Sequence, residues 1–100
     1  SRHEELCNKI GIAEALVGYG RVALVENRNA RAARLFAAAE LLRAQVGAPL
    51  SMREHERCDR EVAALRAALM DDEFDAEFAS GKTMTEEQAI AYALESADKK

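Results

Sequence analysis

Residues 30–46, Ala30-Arg31-Ala32-Ala33-Arg34-Leu35-Phe36-Ala37-Ala38-Ala39-Glu40-Leu41-Leu42-Arg43-Ala44-Gln45-Val46, decide the fold. Ala32, Leu35, Phe36, Ala39, Leu42 and Val46 recur three and four residues apart, the period of one α-helix face. Ala33, Ala37, Ala38 and Leu41 widen that stripe until the segment is apolar nearly all round. A helix of this pattern belongs at the centre of a domain, with other helices against it. Gly47 follows at once and can close it in the left-handed conformation.

Upstream, Asn27-Arg28-Asn29 interrupts the pattern. Asn tolerates turn geometry and can cap the helix that follows. Before it, a helix is predicted over about 4–26. Leu6, Ile10, Ala13, Val17, Gly20 and Leu24 share one face, and Ile12, Leu16, Tyr19 and Ala23 line the strip beside it. Gly18 and Gly20 read as points of close helix approach, not as a phosphate cradle, which needs glycines between a strand and a helix.

Downstream, Ser51-Met52-Arg53-Glu54 has the form of a capping box, in which Ser accepts from the third helical N–H and Glu reaches back. Cys58, Val62, Leu65 and Leu69 face inward, and Arg53, Arg57, Arg60, Glu61 and Arg66 are expected to be largely solvated. Asp71-Asp72 opens a short helix with Phe74 and Phe78 a turn apart, stopped by Gly81. Thr85-Glu86-Glu87-Gln88 is a second capping box, with Met84 as a hydrophobic staple ahead of it. The expected fold is all-α: a helical hairpin over 1–48, then three capping helices over 49–100, forming one domain.

Composition agrees with this reading and narrows the function. Of 100 residues, 49% are apolar and 32% charged, which describes a globular chain and not a disordered one. Aromatic residues are only 5% and Trp is absent, so the core must come from close contacts between small side chains. Pro49 is the one proline, leaving helix open to almost the whole length. No run of ~18 apolar residues suggests a membrane span, and the start lacks a signal peptide's apolar stretch. A cytoplasmic protein is expected, and two cysteines suit a reducing compartment.

Residues 1–70 hold eleven basic and nine acidic groups, a net of +2, and residues 71–100 three and nine, a net of −6. So acidic a tail speaks against nucleic-acid contact, which requires Lys/Arg clusters. Asp71-Asp72-Glu73 and Glu86-Glu87 stand at helix starts, where carboxylates complement the helix dipole, and no catalytic role is assigned to them. His3 with Cys7, and His55 with Cys58, share helix faces, yet the spacing lacks an ordinary zinc signature and Cys58 is read as a core thiol. No cofactor, metal or catalytic residue is expected. Arg21, Arg28, Arg31, Arg34 and Arg43 give the hairpin a basic cast. Solvated flanks account for it best, and an acidic peptide or other protein partner is the functional alternative.

The hairpin can be set in a tetratricopeptide frame, with Ala32, Phe36 and Ala39 on the second helix and Leu16, Tyr19 and Gly20 on the first. A wider likeness rests on Gly11-Ile12-Ala13-Glu14, on residues 32–40, on Val46-Gly47-Ala48-Pro49-Leu50, on Arg60-Glu61-Val62-Ala63-Ala64-Leu65-Arg66 and on Ala89-Ile90-Ala91-Tyr92-Ala93-Leu94-Glu95. With these blocks in order, the chain resembles the C-terminal tetratricopeptide-like region of large bacterial ATP-binding regulators, LuxR-type transcriptional regulators and cyclase- or kinase-linked ATPases among them. It departs at Met70, where that family commonly has Gly. No G-x-x-x-x-G-K-[ST] loop is present, so the regulators' enzymatic and DNA-reading work transfers to no residue here.

The resemblance implies a non-catalytic interaction or sensing module, the cap of an α-solenoid that packs on preceding repeats. The alternative is a stand-alone ligand-binding or enzymatic bundle with a cavity lined by Tyr19, Phe36 and Met70. A first helix lacking a preceding repeat is expected to self-associate, as a homodimer, through Leu6, Ile10, Ile12, Leu16 and Tyr19.

Overall fold

A computed structural model describes the backbone of residues 2–47 and 50–98 and the side chains of 8–47 and 50–95. Four helices occupy it: α1 (Arg2–Val25), α2 (Asn29–Val46), α3 (Met52–Lys82) and α4 (Glu86–Asp98), with no strand among the described residues. The fold is all-α. The two segments expected as separate helices on either side of residue 70 are separate in backbone geometry: the 31-residue span α3 is two helices meeting at a kink at Met70, whose φ and ψ are not helical.

Helix α2 is central, as its all-round apolar pattern requires. Ala32, Ala33, Leu35, Phe36, Ala37, Ala38, Ala39 and Leu42 are buried. Helices α1 and α3 each pack along α2 and touch one another little, and α4 rests on α1 and α2. The result is flattened, 41 × 32 × 21 Å. Core partners of α2 are Ala13, Leu16, Val17 and Ala23 of α1, Leu65, Leu69 and Phe74 of α3, and Ala89 and Ala93 of α4. The α1–α2 hairpin, with helices of 24 and 18 residues, is longer than the roughly 34-residue tetratricopeptide unit.

The turns follow the local chemistry closely. Asn27 is left-handed at φ 64°, and Gly47 closes α2 at φ 64°, ψ 36°. The residue at the N-cap of α2 is Arg28, without a side-chain cap, and Asn29 is already helical. Neither Asn therefore caps. Thr85 and Gln88 form both halves of their box: the Gln88 N–H donates to Thr85 Oγ1 at 3.1 Å and the Thr85 N–H to Gln88 Oε1 at 2.9 Å. The box at Ser51 forms only halfway. The Glu54 N–H donates to Ser51 Oγ at 3.2 Å, but the Glu54 carboxylate is held elsewhere by Arg21.

Met70 has φ 63° and ψ 151°, a backbone region that essentially only glycine enters without strain. Its side chain is exposed, so no packing accounts for a methionine there. Past the break, Phe74 and Phe78 stack with centroids 5.1 Å apart, and Arg66 lies 4.4 Å over the Phe74 ring. Gly81 does not stop the helix. It is a buried helical residue, and a Cβ there would run into the Arg34 carbonyl and come within 2.8 Å of Ala37 Cβ. The two glycines of α1 also separate. A methyl group on Gly20 would sit 3.4 Å from the Phe36 ring, whereas one on Gly18 would meet nothing within 4 Å.

Candidate functional site

Because α1 and α3 flank α2 without closing on each other, an open groove runs between them, floored by α2. It holds two adjoining clefts. The larger, about 670 Å3, lies between α2 and the first turns of α3. Its apolar lining comes from Val17, Phe36, Ala39, Leu50 and Val62, with Cys58 beside them. The second, about 600 Å3, is bounded by Ile10, Glu14 and Arg21 of α1 and by Ser51 and Glu54 at the start of α3. Val17, Arg43 and Leu50 belong to both. Volumes of this order suit a drug-sized ligand or a few peptide side chains.

One ion-pair network spans the groove. Arg21 Nη2 meets Glu54 Oε1 at 2.6 Å, and Arg21 Nε meets Glu61 Oε2 at 2.8 Å. Arg57 adds a longer contact to Glu61, 3.7 Å. The Glu61 side chain, expected in solvent, is only 16% exposed because Arg21 draws it over the groove. Hydrogen bonding to Glu61 and Glu54 raises the Arg21 pKa still further, so its charge is fixed. The Arg21 guanidinium, in turn, holds the Glu54 carboxyl below the usual carboxylate value. Burial pushes the Cys58 thiol up, with Arg21 opposing in part, so Cys58 is a neutral, half-buried thiol and not an activated nucleophile.

The five arginines of the basic surface are drawn apart by their partners. Arg21 serves the network just described. Arg31 donates to the carbonyls of Tyr92 and Ala93, at 3.1 and 2.8 Å, and lies over the Tyr92 ring. Arg34 pairs with Glu77 at 2.5 Å, and that hydrogen bond raises its pKa. Arg28 approaches Glu26 at 3.6 Å. Four of the five thus stand against partners inside the chain. Arg43 alone of the five makes no hydrogen bond or ion pair among the described residues, and it is placed at the groove where the two clefts meet.

The strip expected to self-associate is also divided. Leu16 is 2% exposed, Ile12 and Tyr19 pack against the core, Ile10 lines the second cleft, and the Leu6 side chain lies outside the described residues. The face of α1 that stays uncovered is another one: Gly11, Ala15, Gly18, Val22 and Val25 are uncharged, and all but Val22 and Val25 among them carry at most a methyl side chain. Of the suggested cavity residues, Phe36 lines the larger cleft, Tyr19 packs on the core, and Met70 is exposed at the break in α3. His55 sits at the rim, 3.4 Å from Asp59. The side chains of His3 and Cys7 lie outside the described residues, and among the described ones no His/Cys/Asp/Glu group is arranged to hold a metal. No described helix is long and apolar enough to cross a membrane.

Comparison with known proteins gives no family, no curated protein and no solved structure that matches this chain. The sequence signal for the groove was partial. Cleft residues Val17, Phe36, Ala39 and Val62 were legible as apolar positions. The Arg21–Glu54–Glu61 network joins residues 33 and 40 apart and has no local signature.

Proposed function

We propose that the chain is a non-catalytic, cytoplasmic interaction and sensing module, the C-terminal part of a bacterial signalling or transcriptional regulator. The observation that carries this reading is the outer face of α1. Gly11, Ala15, Gly18, Val22 and Val25 repeat at spacings of four, three, four and three, and Val22 and Val25 are 56% and 82% exposed. Small, uncharged residues at that period give a helix surface on which another helix can pack closely. In a stack of helical hairpins this is the surface that the preceding hairpin covers, while the charged outer face of α3 faces water as a cap does. The groove over α2 is then the concave side open to a peptide or a small inducer.

The test begins with the natural reading frame. Hydrogen exchange is measured on this chain alone and on the chain joined to its own preceding residues. Slower exchange confined to the Ala15–Val25 stretch of α1 in the longer protein is the expected result. A reading frame that opens at Ser1, or unchanged exchange there, overturns the solenoid reading. A second reading, a stand-alone ligand-binding bundle, has one observation in its favour: the larger cleft already has the volume and apolar lining of a small-molecule site.

A further inference from the structure

One cation at the larger cleft stands apart from the ion pairs around it. Glu40 is held by Lys82 at 2.9 Å and Asp59 stands beside His55 at 3.4 Å. At the neighbouring cleft, Glu54 is taken by Arg21. The group left over is Arg43. It is half-buried, makes no hydrogen bond or ion pair among the described residues, and stands where the two clefts meet.

A guanidinium offers a planar fork of donors matched to a carboxylate, and its hydrogen bonds to an anion are about twice as strong as neutral ones. Below it lie Val17, Phe36, Ala39, Leu50 and Val62, an apolar wall that excludes a polar or multiply charged ligand. Specific pockets combine an apolar lining with a few placed polar groups in this way.

We propose that the larger cleft binds a small amphipathic monocarboxylate. Its carboxylate pairs with Arg43, and its apolar body lies on Phe36, Ala39 and Val62. The rim carboxylate of Asp59 disfavours a second negative charge on the ligand. The inference refines the small-inducer side of the sensing reading and rests on it. Its test is direct binding, whereas the sensing reading is tested by exchange on the outer face of α1, so the two fail separately.

The experiment titrates the whole chain with octanoate, octan-1-ol and octylammonium, followed by calorimetry and by amide shifts in NMR spectra. Octanoate is expected to bind saturably, one per chain, with shifts at Val17, Ala39, Arg43 and Val62. Octan-1-ol should bind at least about tenfold more weakly, the cost of one charge-assisted contact, and octylammonium more weakly still. Arg43→Gln should bring octanoate down to the level of octan-1-ol while leaving octan-1-ol unchanged. Arg43→Lys, which keeps the charge without the fork, should fall between. Ala44→Trp, on an exposed position at the cleft, should weaken all three. Equal binding of acid and alcohol by the wild type, no saturable octanoate binding, shifts centred on Val22 and Val25, or an acid preference that survives Arg43→Gln would each overturn the proposal.

Discussion

Gly81 of α3 passes so close to the backbone carbonyl of Arg34 in α2 that a methyl group at position 81 would collide with it. The obstacle is backbone, which cannot swing aside as the end of a side chain can. This contact seats the second half of α3 on α2, and the Arg34–Glu77 and Lys82–Glu40 pairs form to either side of it.

Gly81→Ala should therefore destabilise the chain by about 1–3 kcal/mol, the usual range for overpacking a filled contact. Gly18→Ala is the control. Gly18 is helical and exposed with nothing within 4 Å, so alanine there should stabilise by ~0.5–1 kcal/mol through the unfolded chain's lost freedom. Urea denaturation midpoints of the two variants, measured at protein concentrations low enough to hold the chain as a monomer, should move in opposite directions. A Gly81→Ala midpoint equal to the wild type would refute the contact.

Met70→Gly should raise stability, against the usual effect of glycine near a helix. At φ 63° and ψ 151° a methionine carries strain of about 1–3 kcal/mol, and glycine carries almost none. After glycine's entropy cost of roughly 0.5–1 kcal/mol, a gain of about 1 kcal/mol remains. Met70→Ile should lose stability, because a β-branched residue fits this region worse. Thermal unfolding followed by circular dichroism distinguishes them. A lower melting point for Met70→Gly than for Met70→Ile would show that α3 is straight through position 70.

The Arg21 network makes a pH-dependent contribution whose sign is fixed. Arg21 holds Glu54 below its ordinary value of 4.5 in the folded chain. A carboxylate with a depressed folded pKa stabilises the protein above its unfolded pKa and loses that contribution as the pH falls through the folded one. The loss should begin near the ordinary glutamate range and continue below it. Arg21→Gln should weaken the chain at pH 7 by about 1–2 kcal/mol, the scale of part-buried hydrogen bonds to charged groups, and should flatten this acid limb. Denaturation midpoints measured from pH 7 to 3 check both. An acid limb of equal steepness in the variant would assign it to other carboxylates.

Much of the fold was legible because helical period is a local property. The all-round apolar run at 32–42 placed α2 at the centre, Gly47 marked its end, and Thr85 with Gln88 marked the start of α4. What escaped the sequence was decided by tertiary contact. Glu54 had the right spacing to complete a cap, but an arginine 33 residues away offered it a stronger, charge-assisted partner. Gly81 followed a helix and read as its stop, although its lack of a Cβ serves a helix crossing. Leu16 and Tyr19 read as a surplus on α1, since periodicity shows which residues share a face but not which face a neighbour covers. The groove itself follows from α1 and α3 both packing on α2, and no residue pattern records that.

Self-association, where it occurs, should use the uncovered face of α1 and not the strip that includes Leu16. Leu16 is in the core, so Leu16→Glu would unfold the chain and report nothing about assembly. Val22 and Val25 can be changed without touching a core contact, being 56% and 82% exposed. The strip of Gly11, Ala15, Gly18, Val22 and Val25 is itself uncharged, with exposed Glu14 and Glu26 at its two edges, and small residues allow two helices to pack closely. A two-fold pair would set this face against itself, the simplest closed arrangement. Sedimentation equilibrium at rising concentration should show a reversible dimer for the wild type. Val22→Glu should hold the chain as a monomer with an unchanged helical spectrum, because two glutamates would then meet across the axis in a low-dielectric contact. Gly18→Ala should be milder, keeping the apolar face but pushing the helices apart by a methyl group. A wild type that stays monomeric at high concentration would show that this face needs a different partner, and a dimer indifferent to Val22→Glu would place the contact elsewhere on the molecule.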